Sequence, residues 1–301
     1  MSTTSTTIPA VPAPPDHQSA ATDVEGMRRK ATRSNKWGTI GLILPALGIL
    51  IPLYFVVVMS LKYQADSGGS GLEFPTRIRW ANFSDAWELV NAPRALAMSI
   101  TISTITIIGN LLLSSMMAWA VVRNWESRLF RWSFVYLLAA MFLPFTVLAL
   151  PQVKLMSQLG LDNPIGVGIL HIMFGLGFNT LLFSAYIRSL PVELEESATI
   201  DGCSTFEVYR KVVWPLLAPM AATIGIFSFL GSWNDFMMPS LIISDIRNQT
   251  LPVVQNSFND QLTLNYNVAF ASYFLAMAPA LIGYLIARRW IISGIMRGAI
   301  K

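Results

Sequence analysis

The sequence predicts an all-α integral membrane fold with six transmembrane helices. Three observations carry it. Apolar residues make up 53% of the chain and charged residues only 13%, about half of the ~25% usual in soluble domains. A soluble protein of that composition lacks the polar surface to face water. Six stretches are long and apolar enough to cross ~30 Å of hydrocarbon, which takes ~20 helical residues each. Basic residues are distributed unevenly between the segments that join those stretches.

Residues 1–36 read as a disordered cytoplasmic tail. The first 26 are rich in Thr, Ser, Pro and Ala with no apolar period, so they bury too little surface to order themselves. The basic cluster Arg28, Arg29, Lys30, Arg33 and Lys36 follows. The apolar run that starts at Trp37 is too long for a signal h-region of ~7–15 residues, and no small-residue cleavage site follows it. It is read as an uncleaved first span, 38–61. Residues 37–301 form the six-span domain, with the further spans at about 96–122, 130–151, 165–188, 217–243 and 268–292. Pro and Gly inside these runs are compatible with membrane helices, where neighbouring helices re-satisfy freed backbone groups.

Orientation follows from charge. With the N-terminus inside, the cytoplasmic segments hold fifteen Lys and Arg, among them the tail cluster, Arg123, Arg128, Arg131, Arg210 and Lys211. The outer loops hold six: Lys62, Arg77, Arg79, Arg94, Lys154 and Arg247. Both termini are therefore expected in the cytoplasm. The long outer loop 62–95 is expected to set Trp80, Phe83 and Trp87 at the membrane interface.

The loop at 189–216 differs from the other inner loops because it carries Glu193, Glu195, Glu196, Asp201 and Glu207. Pro191 and the carboxylates after it suit a helix N-terminus, where negative charge faces the positive end of the dipole. That helix should run to about Ile200. Asp201-Gly202 signals a turn, with glycine supplying positive φ. Ser204 and Glu207 have capping-box spacing for a second helix, with Phe206, Tyr209 and Val213 on one face and Pro215 ending or kinking it. The outcome is a helix–turn–helix knuckle. It suits either docking of a partner at the bare Gly202 turn or an interfacial helix pair with no partner.

Polar residues within spans are candidates for the pathway or its gate: Asn110, His171, Asn179, Asn234 and Asp235. Asp235 lies roughly 27 Å along the fifth span at 1.5 Å per residue, near its outer end. A capped or hydrogen-bonded boundary role competes with a gating one. For the others, hydrogen bonding between helices competes. Cys203 is the only cysteine, so no internal disulfide or CxxC pair is possible. A phosphate-cradling G-x-x-x-x-G-K-[ST] is missing, as are H-E-x-x-H and G-x-S-x-G. The chain is expected to be no enzyme, to bind no metal or cofactor, and to bind no nucleic acid.

Four segments resemble one family. Glu196-Ser197-Ala198, Gly202 four residues later, then Val212-Val213-Trp214-Pro215 resembles the EAA signature of binding-protein-dependent ABC importer permeases. Ser197, Val212 and Trp214 stand where that pattern has Ala, Ile and Leu. Trp233-Asn234-Asp235-Phe236, Leu159-Gly160-Leu161-Asp162-Asn163 and the run Ser293–Lys301 are similar to segments of sugar-importer permeases. The resemblance covers everything beyond the tail 1–26. It implies a type I ABC importer (MetI-like) fold and the second permease of a maltose-type, carbohydrate-importing heterodimer in a bacterial cell membrane. The implied partners are a paralogous permease, a cytoplasmic ABC ATPase dimer that holds ATP and Mg, an extracytoplasmic solute-binding protein, the lipid bilayer and a sugar. The implied ATPase-docking residues are Glu195, Glu196, Ser197, Ala198, Asp201, Gly202, Phe206 and Pro215. The alternative is an ion-gradient-driven secondary transporter, which calls for midplane carboxylates. Asp235 is the one acidic residue in a span. An intramembrane hydrolase is the third reading.

Overall fold

The computed structural model describes residues 36–69, 71–260 and 265–299. The tail, apart from Lys36, lies outside them, as do Ile300 and Lys301. The chain divides into two compact units, 1–54 and 55–301. In the first, the described residues are helical and belong to α1 (Lys36–Leu61). The remaining elements belong to the second.

In that second unit, α2 (Ala81–Leu89) sits in the loop 62–95 and α3 (Ala92–Arg123) follows it. The 32 residues of α3 rise about 48 Å, well beyond ~30 Å of hydrocarbon, so its ends project from the apolar slab. Next come α4 (Arg128–Ala140), α5 (Phe145–Gln158) and α6 (Pro164–Ile187). The knuckle contains α7 (Glu193–Ile200) and α8 (Thr205–Leu216). The chain then runs through α9 (Ala218–Trp233), α10 (Met237–Ile242), α11 (Leu251–Asp260) and α12 (Tyr266–Ala299).

Among the described residues, four helices are long and apolar enough to cross a membrane, or six if each of two bent pairs is one crossing. Two expected spans are interrupted. The stretch 130–151 breaks after Ala140, and α4 meets α5 at 102°. Pro144 opens α5 with an extended backbone, φ −72° and ψ 143°, and cannot donate to continue α4. The stretch 217–243 ends its first helix at Trp233, and α10 is a separate element. Between α8 and α9 the chain bends by 77° at Leu217. Pro215 and Pro219 flank that bend and neither has an N–H for the helical ladder.

Among the described residues the core consists of three apolar clusters, and α3 enters each of them, through Ala92 and Ala95, Ile102, and Ala118. Its inward face is a polar stripe of Ser99, Ser103, Thr106, Asn110 and Ser114, all buried. Of these, Ser99, Ser103 and Asn110 bond across helices, as expected where water is scarce. Ser232 Oγ donates to Ser103 Oγ at 3.0 Å, and Asn110 Nδ2 donates to Ser228 Oγ at 3.2 Å. A Cβ on Gly175 of α6 would lie 2.8 Å from Asn110 Nδ2 and 3.1 Å from Asn179 Nδ2, so glycine is what permits that approach. In the loop 62–95, Trp80 and Trp87 are exposed, while Phe83 turns inward onto Phe274 with ring centroids 5.9 Å apart. Asn82 fastens the loop by donating to the Ser60 and Lys62 carbonyls, each at 2.8 Å.

Candidate functional site: the acidic knuckle

Local chemistry builds the knuckle much as its residues predict. Three carboxylates occupy the first turn of α7. The helix closes through two bonds, Gly202 N–H to the Thr199 carbonyl and Cys203 N–H to the Ala198 carbonyl, both 3.0 Å. This is a Schellman ending, which needs a left-handed residue after the cap. Gly202 supplies it with φ +85°. A Cβ there would meet nothing within 4 Å, so the turn is bare on its outer side.

The capping box is present at α8. Ser204 N–H donates to Glu207 Oε2 at 3.0 Å, and Glu207 N–H donates to Ser204 Oγ at 3.4 Å. Lys211 Nζ donates to Glu207 Oε1 at 2.7 Å. The Lys211 bond, followed by the Ser204 backbone bond, holds the Glu207 carboxyl down at about 2, against an ordinary 4.5. The same partnership raises Lys211. A π turn over Tyr209–Val213 then shifts the register, so that Val208, Tyr209, Val213 and Leu217 all face inward.

The expected docking residues divide by face. Glu196, Ser197, Asp201, Gly202, Phe206 and Pro215 are exposed, while Glu195 and Ala198 are buried. Two expectations need correction. Phe206 does not share the buried face with Tyr209 and Val213; it is 62% exposed, because the inward face centres on Val208 and Tyr209. Glu195 is not an outward charge. Its carboxylate accepts from Arg123 Nη2 at 2.6 Å, Arg123 Nε at 3.0 Å and Trp119 Nε1 at 2.8 Å. Ile200, which the sequence did not single out, is 86% exposed next to the turn. The outward surface is thus a glycine turn flanked by Ile200, Phe206 and the Glu196 and Asp201 carboxylates. Behind it lies an open cleft of about 790 Å³, lined from both the knuckle and the end of α3 by Trp119, Arg123, Glu195, Thr199 and Cys203 among others.

The pathway candidates lie elsewhere. Asn110 and Asn179 are buried, 2% and 4% exposed, around the Gly175 approach. Asn234 is exposed and donates to the Leu230 carbonyl of its own helix at 2.9 Å. Asp235 falls in the break after α9, where its Oδ1 caps α10 by accepting from Met237 N–H at 2.9 Å. Its Oδ2 lies 3.2 Å from His171 Nε2, so these two candidates, 64 positions apart in sequence, meet.

Residues 110–297 match the family described as binding-protein-dependent transport system inner membrane component. The chain belongs to this family. It is a membrane permease of the ABC importer class, a transport subunit rather than an enzyme. As a family member it resembles the multiple sugar-binding transport system permease protein MsmG of Streptococcus mutans, 33% identical over 91% of this chain and 100% of the relative. It also resembles the probable starch degradation products transport system permease protein AmyC of Thermoanaerobacterium thermosulfurigenes, 29% identical over 87% of this chain and 95% of the relative. The melibiose/raffinose/stachyose import permease protein MelC of Bacillus subtilis is 28% identical over 91% and 100%. The fold is that of a bacterial ABC transporter involved in alginate import, with TM-score 0.74 at 22% identity over 86% of this chain and 98% of that one. The MetNI methionine ABC transporter shares it at TM-score 0.54 and 14% identity, over 70% of this chain and 98% of that one.

Proposed function

We propose that this permease carries a disaccharide or oligosaccharide across a bacterial inner membrane, delivered by an extracytoplasmic binding protein and driven by an ATPase that docks on the 193–216 knuckle. The substrate class rests on the relatives, whose names record multiple sugars, starch degradation products and the melibiose–raffinose–stachyose series. A paralogous permease completes the pathway as a heterodimer, and ATP with Mg sits on the ATPase. Both termini face the cytoplasm, in line with the excess of basic residues on the knuckle's side of the membrane.

One observation carries the docking reading. Gly202 is left-handed, exposed and bare, between the exposed apolar side chains of Ile200 and Phe206 and the carboxylates of Glu196 and Asp201. That surface admits a partner backbone at the turn, buries two apolar groups and pairs two acids with Arg or Lys. Closure of the ATPase dimer on ATP pulls the knuckle and favours an outward-open arrangement. It does so only to the extent that the closed ATPase binds that arrangement better. The gradient-driven alternative depends on Asp235, whose Oδ1 already accepts from the Met237 N–H and whose Oδ2 lies 3.2 Å from His171 Nε2.

The test is reconstitution of the chain with its neighbouring permease, ATPase and binding protein in liposomes. Labelled melibiose, raffinose, stachyose and starch-derived oligosaccharides serve as probes. At least one should enter with internal ATP and no ion gradient, and Gly202→Arg should abolish entry with the complex still in the membrane. Entry that follows an imposed gradient and ignores ATP would refute the reading.

A further inference from the structure

Ser115, Trp119 and Arg123 recur every four residues at the end of α3, so they share one face of that helix. That face holds both limbs of the knuckle. Arg123 and Trp119 hold Glu195 of α7 through the three bonds given above. On the other limb, the Tyr209 hydroxyl of α8 lies 2.7 Å from Ser115 Oγ. Ser115 Oγ also reaches carbonyls of the preceding turn, Leu111 and Leu112. The Trp119 and Tyr209 rings lie 5.5 Å apart between the two polar contacts.

The chemistry of this grip is directional. A guanidinium fork on a carboxylate fixes orientation as well as distance, which a single point charge does not. Glu195 is 9% exposed, so releasing Arg123 would strand a desolvated charge. The covalent route from the knuckle to α9 is less direct, because it passes the 77° bend at Leu217 between two prolines. The grip bypasses that joint and ends on α3, the helix that enters all three core clusters.

We propose that the Ser115–Trp119–Arg123 face is the positioning link that carries displacement of the knuckle into α3. The proposal rests on the reading of the knuckle as the ATPase dock. Arg123, Trp119 and Tyr209 act through Glu195 and the knuckle backbone rather than by touching the ATPase or the sugar.

The experiment uses the reconstituted importer in a Cys203→Ser background, in two single-cysteine forms. Ser197→Cys reports docking by cross-linking to the ATPase. Ala97→Cys, exposed in the opposite part of α3, carries a fluorophore that reports movement of α3 on trapping with ATP and vanadate. With Arg123→Ala, cross-linking should equal that of the parent and the fluorescence change should fall at least twofold. Arg123→Lys should recover part of it. A full change in Arg123→Ala with cross-linking intact overturns the link alone. Loss of the Ser197→Cys cross-link in the parent overturns the docking reading and the link with it. If Arg123→Ala does not assemble, Tyr209→Phe, which removes one hydroxyl, carries the test; it should lower the change by about a third, and an undiminished change overturns the proposal.

Discussion

Substitution of Gly202 by Ala and by Asn separates two reasons for glycine at the turn. The first is backbone conformation. At φ +85° an alanine pays the left-handed penalty of about 1–2 kcal/mol, whereas Asn tolerates this region. Nothing inside the chain lies within 4 Å of the added Cβ, so no steric contribution is added. One to two kcal/mol corresponds to roughly 5–30-fold in a local opening equilibrium. Hydrogen exchange at the Cys203 amide, which bonds the Ala198 carbonyl at 3.0 Å, reads that opening directly. It should rise by about that factor in Gly202→Ala and much less in Gly202→Asn. The second reason is partner approach, and here both variants should behave alike. Each places atoms on the bare side of the turn, so ATP-driven uptake should fall in both. Unchanged exchange in Gly202→Ala would refute the backbone argument. Wild-type uptake by Gly202→Asn would refute the close-approach argument, whatever the exchange data show.

Glu207 titrates at about 2 when folded, against an ordinary 4.5, because of Lys211 and the Ser204 backbone. A depressed carboxyl stabilises the capping box fully above pH 4.5, and the contribution is lost as pH falls from 4.5 towards 2. The ¹³C titration of the Glu207 carboxyl checks this, and a midpoint near 4.5 would contradict the cap. Gly175→Ala should destabilise the detergent-solubilised protein by about 1–3 kcal/mol, since its methyl would press on Asn110 and Asn179. A thermal-unfolding midpoint equal to wild type would contradict that packing. Asp235→Asn keeps an acceptor for the Met237 N–H, whereas Asp235→Ala loses it, so Ala should be the more destabilising by about 1 kcal/mol. Combined with His171→Ala, Asp235→Asn should give a non-additive loss; additive losses would show that the 3.2 Å pair contributes nothing.

Much of the knuckle was legible because its signals are local. The Gly202 turn and the Ser204–Glu207 box are satisfied by bonds that reach no more than five residues along the chain. The spans were legible as apolar runs, since a helix in lipid satisfies its backbone from within. The breaks at Ala140 and Trp233 were not, although Pro144 lay in plain view, because membrane helices also tolerate proline without breaking. The phase of α7 was equally hidden. Glu195 and Glu196 are neighbours in sequence with the same charge, yet one is buried and the other exposed. What separates them is Arg123, 72 positions away, and Arg123 had entered the sequence argument only as a topology charge. Its spacing with Ser115 and Trp119 on one helical face was the available signal.

The sequence by itself thus determined a membrane protein of helical spans carrying an acidic helix–turn–helix, through composition and short-range hydrogen bonding. Only the tertiary structure decided which carboxylate faces out and which is held by α3. A helix can be written by residues three and four apart, but the face it buries is chosen by side chains that arrive from a distant part of the chain.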